Sequence, residues 1–398
     1  MSNLQSFSMP TFQVDTIDSN GEKLPGIKRM YEIAYRIKDS LMQWGGPGIG
    51  KSQAVQQWNA EKVAEFEKLG KHWNPKVCDV RLSMKEPVDL IGVPTIQVET
   101  VDGKGKPTTV WATPSMWPQE GQFDGGVIHL DEMNQGQAAI LNAAFQLIQD
   151  RALGEYKVPE GYLIIASSNP PAFNSTVTEL SIPLSNRFSH FNIVPNFDSW
   201  FNWSLNNGGN LEVMQFLKTQ GSSLLYDNDT MKRRLGSEAD ALYTDIVITP
   251  RSWEVVGKVL SLGDEFTDLE KRMYCTGRLG SALTARLFTY MKDAAKYQDW
   301  RDILVKGNNF KSEEMDVFWA VQIACMSQMI NEKSDEVCRK YVLNFIKATR
   351  ALKNDQLKAI NVASIMKSPR IGDNSQVLDP LEDCDDLISL ITVALKHN

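Results

Sequence analysis

Gly45-Gly46-Pro47-Gly48-Ile49-Gly50-Lys51-Ser52 is the stretch that decides how this chain is read. It matches G-x-x-x-x-G-K-[ST] at every fixed position, and each position has a physical task. Glycines let the backbone turn back so that successive N–H groups converge on an anion. Lys51 neutralises the β and γ oxygens of a polyphosphate, and Ser52 supplies a Mg²⁺ ligand where a helix dipole favours negative charge. Such a loop must follow a strand and open a helix. Ser40-Leu41-Met42-Gln43-Trp44 has the composition of a short strand, and helical spacing runs from Lys51 to about Leu69.

Downstream, Val127-Ile128-His129-Leu130 is a short apolar run of the kind that forms a buried parallel strand, and it ends in Asp131-Glu132. An aspartate at that strand end suits a hydrated Mg²⁺, and the following glutamate suits a water in line with a γ-phosphorus. His129 reads as a packing residue. Helices are expected over Ile27–Ile37 and Gln137–Gln149, and strands over Val77–Leu82 and Tyr162–Ala166. A hairpin is expected from Thr95–Val101 and Thr108–Ala112 around Asp102–Pro107. Strands alternating with helices predict a three-layer α/β fold, its mostly parallel sheet covered on both faces, with nucleotide at the carboxyl end of the strands.

After Pro195 the pattern turns helical, with segments at Pro250–Leu262, Leu279–Ala295, Glu313–Ile330 and Glu336–Leu352. The chain therefore divides into a polar N-terminal arm (1–25), an α/β core (26–195), a helical lid (196–300) and a helical C-terminal region (301–398). Glu382, Asp383, Asp385 and Asp386 read as a solvated acidic face.

The bulk numbers exclude several classes. With 398 residues, 42% hydrophobic and 23% charged, the composition is that of an ordinary globular protein rather than a fibrous or disordered one. A net charge of −7 gives no global positive field toward nucleic acid or anionic lipid. Cys78, Cys275, Cys325, Cys338 and Cys384 are far apart with no C-x-x-C pair, which suggests neither zinc nor a disulfide framework. No leader pattern and no run of about 18 apolar residues is present, so a cytoplasmic protein without a membrane span is expected.

Asp131-Glu132-Met133-Asn134, then Gln149-Asp150-Arg151, Ile164-Ile165-Ala166-Ser167-Ser168-Asn169-Pro170 and Leu184-Ser185-Asn186-Arg187-Phe188 resemble, in that order, the MoxR branch of AAA+ ATPases and its dynein-related, McrB-like relatives. The resemblance runs from about Ile27 to Leu262. It implies Mg-ATP hydrolysis, with Asn169 as sensor 1 beside the attacking water. Arg187 matches the arginine finger, which in that family reaches the neighbouring subunit's γ-phosphate and so implies a homo-oligomeric ring, usually a hexamer. Arg251, in Thr249-Pro250-Arg251-Ser252, falls where the family carries sensor 2. The hairpin at Thr95–Ala112 falls at the helix-2 insert, and Glu155–Gly161 falls at the hairpin before sensor 1; in the family both tend to face the axial pore. Lys104, Lys106 and Lys157 are the basic residues there. Two positions depart from the family pattern: Gln135 stands where a basic residue is common, and Asn186 where an acid often precedes the finger.

The resemblance implies remodelling of a protein client, often one with a von Willebrand factor A domain. The sequence also allows two rival readings: a nucleic-acid-dependent motor, which the acidic charge disfavours, and a nucleotide-gated assembly module with slow turnover.

Overall fold

The computed structural model describes residues 11–13, 26–101, 104–170, 179–226, 246–294 and 297–366, together with 368–372, 374 and 377. The acidic face at 382–386, Cys384, most of the N-terminal arm, and the side chains of Lys104 and Lys106 lie outside the described residues. The chain divides between Pro195 and Asn196 into two compact units.

In the first unit the elements run β1 (Thr11–Gln13), α1 (Ile27–Ile37), β2 (Ser40–Trp44), α2 (Lys51–Lys68), β3 (Pro75–Arg81), α3 (Pro87–Ile91), β4 (Val93–Val101), β5 (Lys104–Ala112), β6 (Gly125–Asp131) and α4 (Ala138–Asp150). Then come β7 (Ala152–Leu153), β8 (Tyr156–Lys157), β9 (Tyr162–Ser168), α5 (Ile182–Ser185) and β10 (Ser189–Val194). Six strands form one sheet in the order β1-β10-β2-β9-β6-β3, and every pairing is parallel. The chain order reverses on either side of β2, which places the loop after β2 at a topological switch point, where α/β sheets open a crevice for ligands.

Alternation along the strands sorts the side chains into two layers. Met42, Cys78, Val80, Ile128, Leu130, Ile164 and Ala166 share a core with Ile140, Ala144, Leu147 and Ile148 of α4. The other face carries Leu41, Gln43, Val127, His129, Leu163, Ile165 and Ser167, all buried beneath α1 and α2. Every residue of β9 and the first six of β6 are buried, as strands covered on both faces require. Each fully buried Ile or Leu contributes about 1.5–3 kcal/mol, so these two strands anchor the unit that presents their carboxyl ends.

The structure extends several sequence expectations. Thr11–Gln13, expected to belong to a polar arm, pairs with β10 as an edge strand. β4 and β5 pair from Val93 opposite Ala112 to Val101 opposite Lys104, so Lys104–Pro107 continues a strand rather than forming a loop. Asp102 and Gly103, which join them, fall outside the described residues. The hairpin expected at Glu155–Gly161 is formed by β7 and β8 instead, with Ala152 opposite Lys157.

The second unit is helical among its described residues. The helix expected at Leu279–Ala295 runs from Ser281 to Ala294, and a further helix, Asp268–Leu279, precedes it across Gly280, whose φ of 78° only glycine adopts without strain. Leu205 and Met214 share a core with Ile323, Met326, Phe345 and Val362, so the stretches read as lid and as C-terminal region bury apolar surface against each other. Among the described residues no helix is long and apolar enough to cross a membrane.

Candidate active site

The glycine-rich loop leaves β2 and enters α2, the predicted strand–loop–helix. Gly50 has φ 98°, a left-handed conformation that directs the chain into the first turn of α2. At Gly45 a Cβ would lie 2.8 Å from the backbone oxygen of Ile193, so only glycine lets the loop start this close to β10. The amino end of an 18-residue helix then faces the loop, with its free N–H groups and positive dipole end.

Lys51 folds back over the loop. Its Nζ donates to the carbonyls of Gly45 at 2.8 Å and Gly46 at 2.9 Å, and to Asn169 Oδ1 at 2.9 Å. The strand-end amide read as sensor 1 is thus in direct contact with the lysine of the loop. Ser52 Oγ donates to Asp131 Oδ2 across 3.3 Å, so the two residues expected to hold a cation are neighbours. Both offer hard oxygen donors, the set that suits Mg²⁺.

Glu132 sits in the left-handed region with φ 54°, which costs a residue with a Cβ about 1–2 kcal/mol. Two bonds hold it there: its backbone N–H donates to Asp131 Oδ1 at 2.9 Å, and its Oε2 accepts a short hydrogen bond from Ser83 Oγ. Asn134 extends the frame, its N–H donating to Ser168 Oγ at 3.1 Å and its Nδ2 to the Asn169 carbonyl at 2.8 Å. The turn after β6 is thereby fastened to the end of β9.

Arg187 follows α5 and is exposed, with no ion-pair partner among the described residues, while its neighbour Phe188 is buried. Its segment is tied to the glycine loop. Trp44, the residue before Gly45, donates from Nε1 to His190 Nδ1 at 2.9 Å, and His190 Nε2 donates to the Ser185 carbonyl at 2.8 Å. Arg251 is the second residue of the helix Pro250–Leu260 in the other unit and is also exposed. Lys157, on β8, is exposed.

Three residues of the site escaped the sequence reading. Ser83 lies in a short turn after β3 with no local pattern to mark it. Asn134 stands out in the sequence only as the last residue of the string that begins at Asp131. His129, read as a packing residue, is buried but polar in use: Nδ1 lies 2.9 Å from Asp79 Oδ1 and Nε2 lies 2.6 Å from Ser167 Oγ. The hydrogen bond from His129 holds the Asp79 carboxyl below the usual carboxylate range, against the opposing effect of burial.

No protein-family model matches the chain, and no curated protein does. Among solved structures it is similar to NtrX from Brucella abortus in complex with ADP, at 14% identity over 92% of this chain and 67% of that one, with a TM-score of 0.34. It is also similar to two mutant forms of RuvB from Thermotoga maritima. One is 13% identical over 70% of this chain and 73% of that one, TM-score 0.31, and the other 12% identical over 83% and 91%, TM-score 0.32. Overlaps this loose carry no argument about individual residues, whose reading rests on the geometry around Lys51.

Proposed function

We propose that this chain binds Mg-ATP at Gly45–Ser52 and hydrolyses it as one subunit of a MoxR-like AAA+ ring that remodels a protein client. The observation that carries this reading is a convergence. Lys51, Ser52, Asp131, Glu132 and Asn169 arrive from two strand ends and one helix start, and the bonds Lys51–Asn169 and Ser52–Asp131 join these at the carboxyl end of the sheet.

In this reading the loop N–H groups and Lys51 hold the phosphates, and Ser52 and Asp131 hold Mg²⁺, which when bound neutralises charge on the β and γ oxygens. Glu132 accepts a proton from water as the water oxygen bonds to the γ-phosphorus and the bridging P–O bond to ADP breaks. Asn169 is suited to hold that water, because its amide both donates and accepts. Arg187 acts on the γ-phosphate of the adjacent subunit, which makes oligomerisation part of the chemistry, and Arg251 serves as a second phosphate-sensing arginine. The client is a protein carrying a von Willebrand factor A domain, and the net charge of −7 favours such a partner over nucleic acid.

Steady-state ATP hydrolysis by the purified chain tests the reading. Wild type turns over ATP, and Glu132→Gln loses turnover at least about a hundredfold while still binding ATP. Turnover unchanged in Glu132→Gln would remove Glu132 from the chemistry and the reading with it.

A further inference from the structure

The sheet face beneath α1 and α2 carries a line of polar side chains to which the reaction assigns no role. Tyr31 OH donates to Gln43 Oε1 at 2.5 Å, Gln43 Nε2 donates to Ser167 Oγ at 2.5 Å, Ser167 Oγ lies 2.6 Å from His129 Nε2, and His129 Nδ1 lies 2.9 Å from Asp79 Oδ1. Tyr31, Gln43 and Ser167 are 0% exposed and His129 1%. The members fix one another's roles. An ionised Asp79 only accepts, so Nδ1 carries the imidazole proton and Nε2 is left as an acceptor. The Gln43 amide nitrogen only donates, so Ser167 accepts there and gives its single proton to Nε2. Gln43 Oε1 then accepts the hydrogen bond from the Tyr31 hydroxyl. The result is one unbroken run of donors, from α1 across β2, β9 and β6 to the edge strand β3.

Two functional readings of this cluster fail. Asp79, His129 and Ser167 have the connectivity of a nucleophile triad, but Ser167 is fully buried and its oxygen already accepts from Gln43, so no substrate reaches it. Asp79, His129 and Asp131 present metal-ligand atoms within 4.8 Å of one another, yet both imidazole nitrogens are committed to Asp79 and Ser167.

The placement of the run is more informative. Gln43 precedes Gly45 by two residues, Ser167 precedes Asn169 by two, and His129 precedes Asp131 by two, within one β-sheet repeat in each case. The relay therefore lies one step beneath the loop, the amide and the candidate cation ligand at once. Fully satisfied buried polar networks rigidify the side chains and strands they join.

We propose that Asp79, His129, Ser167 and Gln43 are positioning residues that hold Asp131 and Asn169 in fixed relation to the phosphate loop. The proposal rests on the nucleotide reading of the site. It is tested on the full chain with Ser167→Ala and, as a second variant, His129→Asn, which keeps a donor toward Asp79 but loses Ser167. The probes are ADP affinity with Mg²⁺ and with a chelator, measured below the melting temperature, and kcat and KM for ATP.

Both variants are expected to keep the chelator affinity within about twofold of wild type. They should lose about tenfold of the Mg²⁺-dependent gain and about tenfold in kcat, with KM little changed. A lower melting temperature accompanies the loss of buried partners in any case, so the magnesium dependence and the kcat–KM split decide. An undiminished magnesium gain in both variants overturns the proposal. If wild type binds ADP without turning over ATP, the hydrolysis reading fails alone and the magnesium gain still judges the relay. If wild type binds no ADP, both fail together.

Discussion

Lys51 Nζ and Asn169 Oδ1 are 2.9 Å apart, joining a helix start to a strand end 118 residues away. The amide and the carbonyls of Gly45 and Gly46 together hold the ammonium over its own loop. An incoming phosphate must compete with these partners, and Asn169 is the one whose removal leaves the backbone intact.

Asn169→Ala should separate binding from chemistry. Nucleotide affinity is expected to stay level or rise slightly, since Lys51 loses a competing acceptor, while kcat falls about 10- to 100-fold from loss of the water-holding amide. Isothermal titration beside a steady-state assay checks this, and an equal fall in both quantities would assign Asn169 to binding instead.

Ser83 caps the carboxylate of Glu132. Its hydroxyl occupies one carboxylate oxygen, so that oxygen must be released before it can accept a proton from water. Ser83→Ala is expected to raise client-independent ATP turnover about two- to fivefold with no change in nucleotide affinity. A slower Ser83→Ala would mean that the serine orients Glu132 for reaction rather than restraining it.

Arg187 carries the oligomeric part of the proposal. Arg187→Ala should lower kcat about a thousandfold, the low end for an arginine finger, while binding nucleotide normally. If the side chain acts across an interface, mixing Arg187→Ala with Lys51→Ala subunits creates junctions with an intact loop on one side and an intact finger on the other, and activity returns in part. A mixture as inactive as its components would place Arg187 on its own nucleotide.

The helices covering the relay are clamped by an ion pair, Lys62 Nζ to Glu32 Oε2 at 3.0 Å. Burial raises the Glu32 carboxyl, but hydrogen bonds from Arg36 and Lys62 outweigh it and leave the group lowered. Burial likewise pushes Lys62 down, and its bonds to Glu32 and Glu65 leave it raised. A lowered carboxyl contributes stability that is complete above its unfolded value and lost as pH falls through the folded one, while the raised lysine loses its share only as pH climbs through its own folded value. Glu32→Gln should therefore cost about 1–2 kcal/mol at pH 7, and the gap to wild type should close in denaturant melts as pH falls below the ordinary glutamate range. A gap that persists unchanged into acid would make it a packing effect.

What the sequence revealed and what it hid divide along one physical line. Gly45–Ser52 and Asp131-Glu132 are legible because each is a local run whose spacing is set by one loop or one strand end. The parallel sheet is legible because β2, β6 and β9 are short apolar runs between helical patterns. Ser83 meets Glu132 only through the fold, 49 residues on, and Ser167 meets His129 across 38, so no window of sequence contains either pair. His129 is buried as its company of Val127, Ile128 and Leu130 suggests, but its polar partners are hidden for the same reason, since only the neighbouring strands supply them. Thr11–Gln13 is too short for a period and is a strand only because β10 offers it an edge.

The most direct measurement is a titration of the purified chain with Mg-ATP, wild type beside Lys51→Ala. The proposal predicts saturable binding by wild type and a loss of about a hundredfold in the variant, equivalent to about 2.7 kcal/mol. Equal affinities, or no binding by either protein, would contradict it.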